Sequence, residues 1–288
     1  MRRLITVGLL LALASVALEA QWVNYKTPGV PRTADGKPKL DAPAPRGLDG
    51  HPDLSGTWMH ELTSVAEVRR LFGARIDEAI KVDVPGMEIG TQHKYGLNIL
   101  IDVKPEDSPM RPATAKMFQE RLAHPPFEDL CDAGAGAPPG FPLAGLLSEP
   151  IKIVQAPRLT MILYEVGNAH RQIYADGRRL PAEFDLPAYF GYSVGHWERD
   201  TFVVETAGFN DKTTLDGIGH PHSDQLRVVE RFRRRDFGHL DVEIAFDDPE
   251  MYTRPFAVHI PHNLLADGDV FEMFPENEKD CARIGAKK

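Results

Sequence analysis

The segment Asp216-Gly217-Ile218-Gly219-His220-Pro221-His222-Ser223-Asp224, with Glu230 six residues on, holds the side chains of this chain best suited to chemistry. Leu226, Val228, Glu230 and Phe232 alternate along the sequence, so a strand sends all four to one face. Three are apolar, which draws Glu230 toward the interior. An interior carboxylate must find a cation, several hydrogen-bond donors or a proton. Arg171 or Arg227 would make it a structural ion pair. His222 or Asp216 would make it part of a reaction centre, beside a cavity of about a few hundred Å³. Glu165, after Leu159, Met161 and Leu163, is a weaker case of the same kind.

His222 with Asp224 or Glu230 forms a general acid–base unit, because histidine titrates near neutral pH. His220 and His222 share a face in extended chain, which suits a metal once a third histidine or a carboxylate joins them. The plain alternative is a histidine-rich turn capped by Asp224. Trp197 and Tyr192, with Tyr189, Phe190 and Phe209, read either as the wall of a small-molecule pocket or as an ordinary β core.

The sequence contains no P-loop, no H-E-x-x-H and no dinucleotide fingerprint. The leading expectation is therefore an enzyme acting on a small organic molecule by cofactor-independent acid–base chemistry, as a lyase, hydratase or hydrolase. His222, Asp224 and Glu230 would be catalytic. Arg171, Tyr192, Trp197 and Asp216 would bind or orient the substrate. One rival is a carrier of an apolar small molecule without catalysis. Another is a hydrolase using a divalent metal on His220 and His222. Nucleic acid is not an expected partner, since the formal net charge is −9. The basic cluster Arg231, Arg233, Arg234 and Arg235 has many acids near it.

These residues must be positioned by strands. Short runs at 151–155, 159–165, 169–174, 192–197, 201–207, 225–233, 240–246, 257–260 and 270–274 are separated by turn residues, with no helical pattern between them. Hairpins are expected across Glu198-Arg199-Asp200 and at Asp236-Phe237-Gly238. Such spacing predicts a mainly β fold, an antiparallel β-barrel or sandwich, with a lipocalin-like barrel among the options. Two covering helices are expected. One spans 64–80, opened by the capping box Ser64-Val65-Ala66-Glu67. The other spans 112–122, opened by Pro112.

Residues 21–56 read as a Pro/Gly-rich extended arm, and residues 57–288 as a single domain. The arm contains an echo: Pro31-Arg32, Asp35-Gly36, Pro38 and Leu40 recur fourteen positions later as Pro45-Arg46, Asp49-Gly50, Pro52 and Leu54. This predicts a duplicated lead-in that lies along the domain surface or stays mobile.

Residues 1–20 have the form of a signal peptide. Arg2 and Arg3 precede a short apolar run, and Ser15-Val16-Ala17 or Ala20-Gln21 offers a cleavage site. The run is too short to span a membrane, and no cysteine lies near the cleavage sites to carry a lipid anchor. A periplasmic or secreted location is expected. In an oxidising compartment the two cysteines, Cys131 and Cys281, would form a disulfide.

Pro52-Asp53-Leu54-Ser55-Gly56-Thr57-Trp58, Asp176-Gly177-Arg178, Gly195 through Thr201, and His222-Ser223-Asp224 through Glu230-Arg231-Phe232 resemble a large family of secreted proteins from soil bacteria. The resemblance covers most of the chain beyond residue 20. It implies a single exported domain and brings no catalytic residues with it. Where that family reads Trp-Glu-Gly-Asp at the first hairpin, this chain has Arg199 in the glycine position. A positive φ there would cost on the order of 1 kcal/mol.

Overall fold

The computed structural model describes residues 26–72, 93–123, 140–146 and 149–271. The expected signal peptide, Cys131, Cys281 and the second half of the 64–80 helix lie outside the described residues. Nine strands close into one barrel: β1 (Gly56–His60), β2 (Ile151–Ala156), β3 (Leu159–Tyr164), β4 (His170–Tyr174), β5 (Tyr192–Glu198), β6 (Thr201–Ala207), β7 (Arg227–Arg234), β8 (His239–Asp247) and β9 (Phe256–Leu264). Among the described residues three α-helices accompany them: α1 (Val65–Phe72), α2 (Lys94–Leu97) and α3 (Pro112–Ala123). Among the described residues no helix is long and apolar enough to cross a membrane.

The core lies inside the barrel, and alternation puts it there. Val228, Glu230 and Phe232 of β7 are buried, as are Leu240, Val242, Ile244 and Phe246 of β8 and Val258, Ile260, His262 and Leu264 of β9. Both expected hairpins form, β5–β6 and β7–β8. Two features differ from the expected antiparallel barrel. The predicted strand at 270–274 is not formed at Val270 and Phe271, and its place in the closure is taken by β1, which pairs with both β2 and β9. The β4–β5 seam is parallel, with only Ile173↔Ser193 and Tyr174↔Val194 in register. The long excursion between β4 and β5 carries the chain across to the end at which β4 began, whereas a hairpin re-enters at the end the chain has just left.

The echo in the arm folds into two copies of one loop. In the first, Arg32 bridges Pro38, the Lys39 amide donates to the Pro31 carbonyl, and Gly36 sits at φ +85°. In the second, Arg46 bridges Pro52, the Asp53 amide donates to the Pro45 carbonyl, and Gly50 sits at φ +81°. Each arginine also donates to the carbonyl of its own loop glycine, Arg32 to Gly36 at 3.1 Å and Arg46 to Gly50 at 2.7 Å. The positive φ is why a glycine recurs in both. Each arginine then fastens its loop to the barrel side, Arg32 to Asp267 at 2.5 Å and Arg46 to Asp200 at 2.9 Å. The described part of the arm thus lies along the surface.

Arg199, in the β5–β6 turn, has φ +57°. An L side chain is strained there and glycine is not, so Arg199→Gly is expected to stabilise the fold by about 1 kcal/mol. Calorimetry should show a melting temperature raised by ~2–4 °C. An unchanged or lowered value would mean that the arginine side chain compensates for its backbone.

Candidate site in the barrel lumen

Strands β4 to β7 each send one polar side chain inward at the same level. Arg171 of β4 reaches across β5 and β6 to Glu230 of β7. Its Nη1 donates to Glu230 Oε1 at 3.1 Å, and its Nη2 donates to Glu230 Oε2. On the way, its Nε donates to Ser193 Oγ of β5 at 2.9 Å and its Nη2 to Thr206 Oγ1 of β6 at 3.0 Å. The two hydroxyls also bond each other at 3.0 Å. The whole group is buried. Burial works against the charge of Arg171, but Glu230 opposite holds its pKa above the usual value. The Phe141 ring lies 4.4 Å from the guanidinium, closing it off from the other side.

A small space remains beside this group. It measures about 30 Å³, room for about one water, and Glu230, Tyr164 and His262 reach it through walls made by Ile162, Phe232 and Ile260. One further wall is not a strand. Phe141, Pro142, Gly145 and Leu146 of the segment 140–146 fill the lumen from outside the sheet. That segment ties to its described surroundings through the Phe141 amide, which donates to the Tyr189 carbonyl at 3.4 Å. Burial pushes the Tyr164 phenol up to about 12. Burial likewise brings His262 down to about 3, with the His60 ring adding to the effect, so the imidazole is neutral at pH 7. His262 Nδ1 bonds the Ile260 carbonyl at 3.0 Å, which makes Nδ1 the donor and leaves Nε2 as the acceptor.

The residues read from the sequence fall into three places. Glu230 is in the interior, and of the two cations considered for it Arg171 is the partner. It bonds neither His222 nor Asp216, and among the described residues the space beside it measures about 30 Å³ rather than the few hundred Å³ expected. No hydrogen bond or ion pair joins any two of His222, Asp224 and Glu230, so the expected catalytic trio is not assembled. Asp224 is exposed, because it turns outward in the bend that precedes β7. It lines a surface cleft of about 280 Å³ with Glu183, Phe184 and Arg227. Tyr192 is 40% exposed, its hydroxyl donates to the Leu186 carbonyl at 2.8 Å, and its ring stacks on Phe184 behind that cleft. Trp197 stacks flat on His51 of the arm at 4.7 Å. Glu165 follows β3 and accepts from the Phe271 amide at 2.9 Å.

The dense polar segment is a piece of backbone support. The carboxylate of Asp216 is fully buried and accepts from the amides of Ile99 at 2.6 Å, Gly219 at 3.0 Å and His220 at 3.0 Å. It also bonds His220 Nδ1 at 2.5 Å, and Phe118 stacks on that ring at 4.0 Å. His222 Nε2 meets Thr213 Oγ1 at 2.8 Å while its Nδ1 meets the Ser223 carbonyl at 3.1 Å. Burial lowers its pKa. The cap on this turn is therefore Asp216, joined by Asp248, which accepts from the Ser223 amide and hydroxyl; it is not Asp224. His220 and His222 do not converge on a shared point, since one ring faces Asp216 and Phe118 and the other Thr213. Among the described residues no group of three or more His, Cys, Asp or Glu could hold a metal ion.

Four inward groups, Tyr164, Ser193, Thr206 and His262, escaped the sequence reading. The signal was there in part. His262 continues the alternation of Val258 and Ile260, and Tyr164 that of Thr160 and Ile162. Comparison with protein-family models, with curated proteins and with solved structures gives no match for this chain.

Proposed function

We propose that the protein is a small-molecule-binding β-barrel, its occupant held in the lumen between the segment 140–146 and the Arg171–Glu230 pair. One observation carries this reading. Part of the lumen is filled by a short non-strand segment, packed against a polar group that four strands converge to build. Small-molecule sites share this composition, apolar walls with a few placed polar groups. The occupant takes the volume that the Phe141 and Leu146 side chains now fill.

The neutral fluorophore N-phenyl-1-naphthylamine tests the reading. Saturable one-to-one binding to the full chain is expected, tightened about tenfold in Phe141→Ala, where the ring no longer competes for the space. Absence of saturable binding in both proteins would sink the proposal.

A second reading, cofactor-independent acid–base chemistry on the occupant, is favoured by Tyr164 and the neutral His262 lining the same space as Glu230. Incubation of a bound ligand separates the two: a carrier returns it unchanged, an enzyme does not. We also propose that the chain is exported as a single domain. N-terminal sequencing of the processed protein is expected to begin near Leu18 or Gln21. An intact Met1 form as the sole product in the native cell would overturn this.

A further inference from the structure

Resting on the lumen reading above, we propose that the occupant is an uncharged molecule, a largely hydrocarbon body bearing one hydroxyl or carbonyl group. The argument is one of charge balance. Beside this space the described residues place one buried cation and one buried anion, Arg171 and Glu230, joined through both carboxylate oxygens, while the buried Arg234 further along β7 is engaged by the Asp53 and Phe237 carbonyls and does not line the space. Of the three remaining Arg171 N–H groups two are taken by Ser193 and Thr206, and the guanidinium also hydrogen-bonds the Tyr164 hydroxyl. The other titratable groups that reach the space are Tyr164 and His262, and both stay neutral near pH 7. The net charge around the occupant is zero. An ionised ligand would enter as an unmatched charge in an apolar enclosure, where transfer from water costs several kcal/mol.

What the site offers instead is neutral hydrogen bonding. His262 Nε2 is an acceptor, and the Tyr164 hydroxyl is held as a phenol able to donate. A ligand hydroxyl can donate to His262 Nε2 and accept from Tyr164, and a ligand carbonyl can accept from Tyr164. The strand walls, Ile151, Ile162, Phe232, Val242, Ile244 and Ile260, ask only for hydrocarbon.

The test is displacement of N-phenyl-1-naphthylamine from the full chain at pH 7.5 by three ten-carbon competitors, 1-decanol, decanoate and decylammonium. Decanol is expected to displace the probe, with both ions weaker by on the order of 100-fold. Equal or better displacement by either ion overturns the proposal. If the probe binds and none of the three displaces it, the ligand class is wrong while the lumen reading stands. If the probe itself does not bind, the lumen reading has failed first. In Glu230→Gln the Arg171 charge is left unmatched, and the decanoate-to-decanol ratio is expected to rise at least about tenfold. An unchanged ratio in folded protein overturns the charge-balance argument. The wild-type comparison stands if that variant does not fold.

Discussion

Glu230→Gln is expected to lower the melting temperature by about 10 °C. The substitution keeps size and one acceptor, but it strips the buried Arg171 guanidinium of the one carboxylate that pairs with it among the described residues. Removing one member of a buried pair costs roughly 3–5 kcal/mol, because the remaining charge stays desolvated. At ~2–4 °C per kcal/mol for a domain of this size, the shift is of the stated order. The loss is also localised. The pair spans the parallel β4–β5 seam, the one with only two residue pairs in register, so hydrogen exchange should rise first along β4. The double replacement Arg171→Met with Glu230→Leu removes both charges and should recover most of the loss. A double variant no more stable than Glu230→Gln would show that the network's shape matters, through Ser193 and Thr206, more than its charge balance.

Acidification is expected to begin destabilising the protein well above the carboxylate range. His60 and His262 are direct cross-strand partners where β1 closes on β9, and His93, the N-cap of α2, stands edge-on to His60 at 5.5 Å. Burial is the main cause that brings His93 down to about 3, with His60, His262 and Lys94 adding and Asp102 opposing. Burial does the same to His262, with His60 and His259 adding and the Ile260 carbonyl opposing. Both folded pKa values lie below the unfolded value near 6.5. The stability they contribute is complete above about pH 6.5 and is lost as pH falls toward 3, because only the unfolded chain takes up those protons. Two such groups remove roughly 3 kcal/mol per pH unit within that window. A domain of ordinary stability should then unfold near pH 4, with the decline already visible at pH 6. Melting temperatures from pH 8 to 3.5 measure it, and His262→Gln should flatten the slope by about half. A profile level down to pH 4.5 would contradict the assignment.

The parts of the fold legible in the sequence are those whose information is local. The strands from β2 to β9 and their two marked hairpins follow from alternation and turn residues a few positions apart. β1 was not legible, because Gly56–His60 ends a proline-rich run and its partners lie far along the chain. The parallel seam is hidden for the same reason, since nothing near Tyr174 or Tyr192 states which way the chain returns. At the candidate site, Glu230 was found by one polar residue breaking an apolar face, and Arg171 was among its two proposed partners. The 216–224 segment misled because polar density looks alike whether it serves chemistry or unsatisfied backbone amides. Asp216 shows the difference only once Ile99, Gly219 and His220 are seen to donate to it. The His60–His93–His262 group drew no attention because its members stand singly in sequence and meet only when the barrel closes.

The place of β1 between β2 and β9 also fixes when this protein can become a barrel. Trp58 pairs with Leu264, roughly 200 residues later, so the closing seam is the longest loop the chain must draw shut and a slow step. Until Leu264 is available, β1 and β9 are open edges able to pair with other chains. Arg32 and Arg46, bound to Asp267 and Asp200, bring the arm to the barrel side just ahead of β1 and shorten that search. A chain cut before β9 has no partial barrel to settle into, which makes this fold all-or-nothing in length: an intermediate is a sheet with two sticky margins rather than a smaller version of the product.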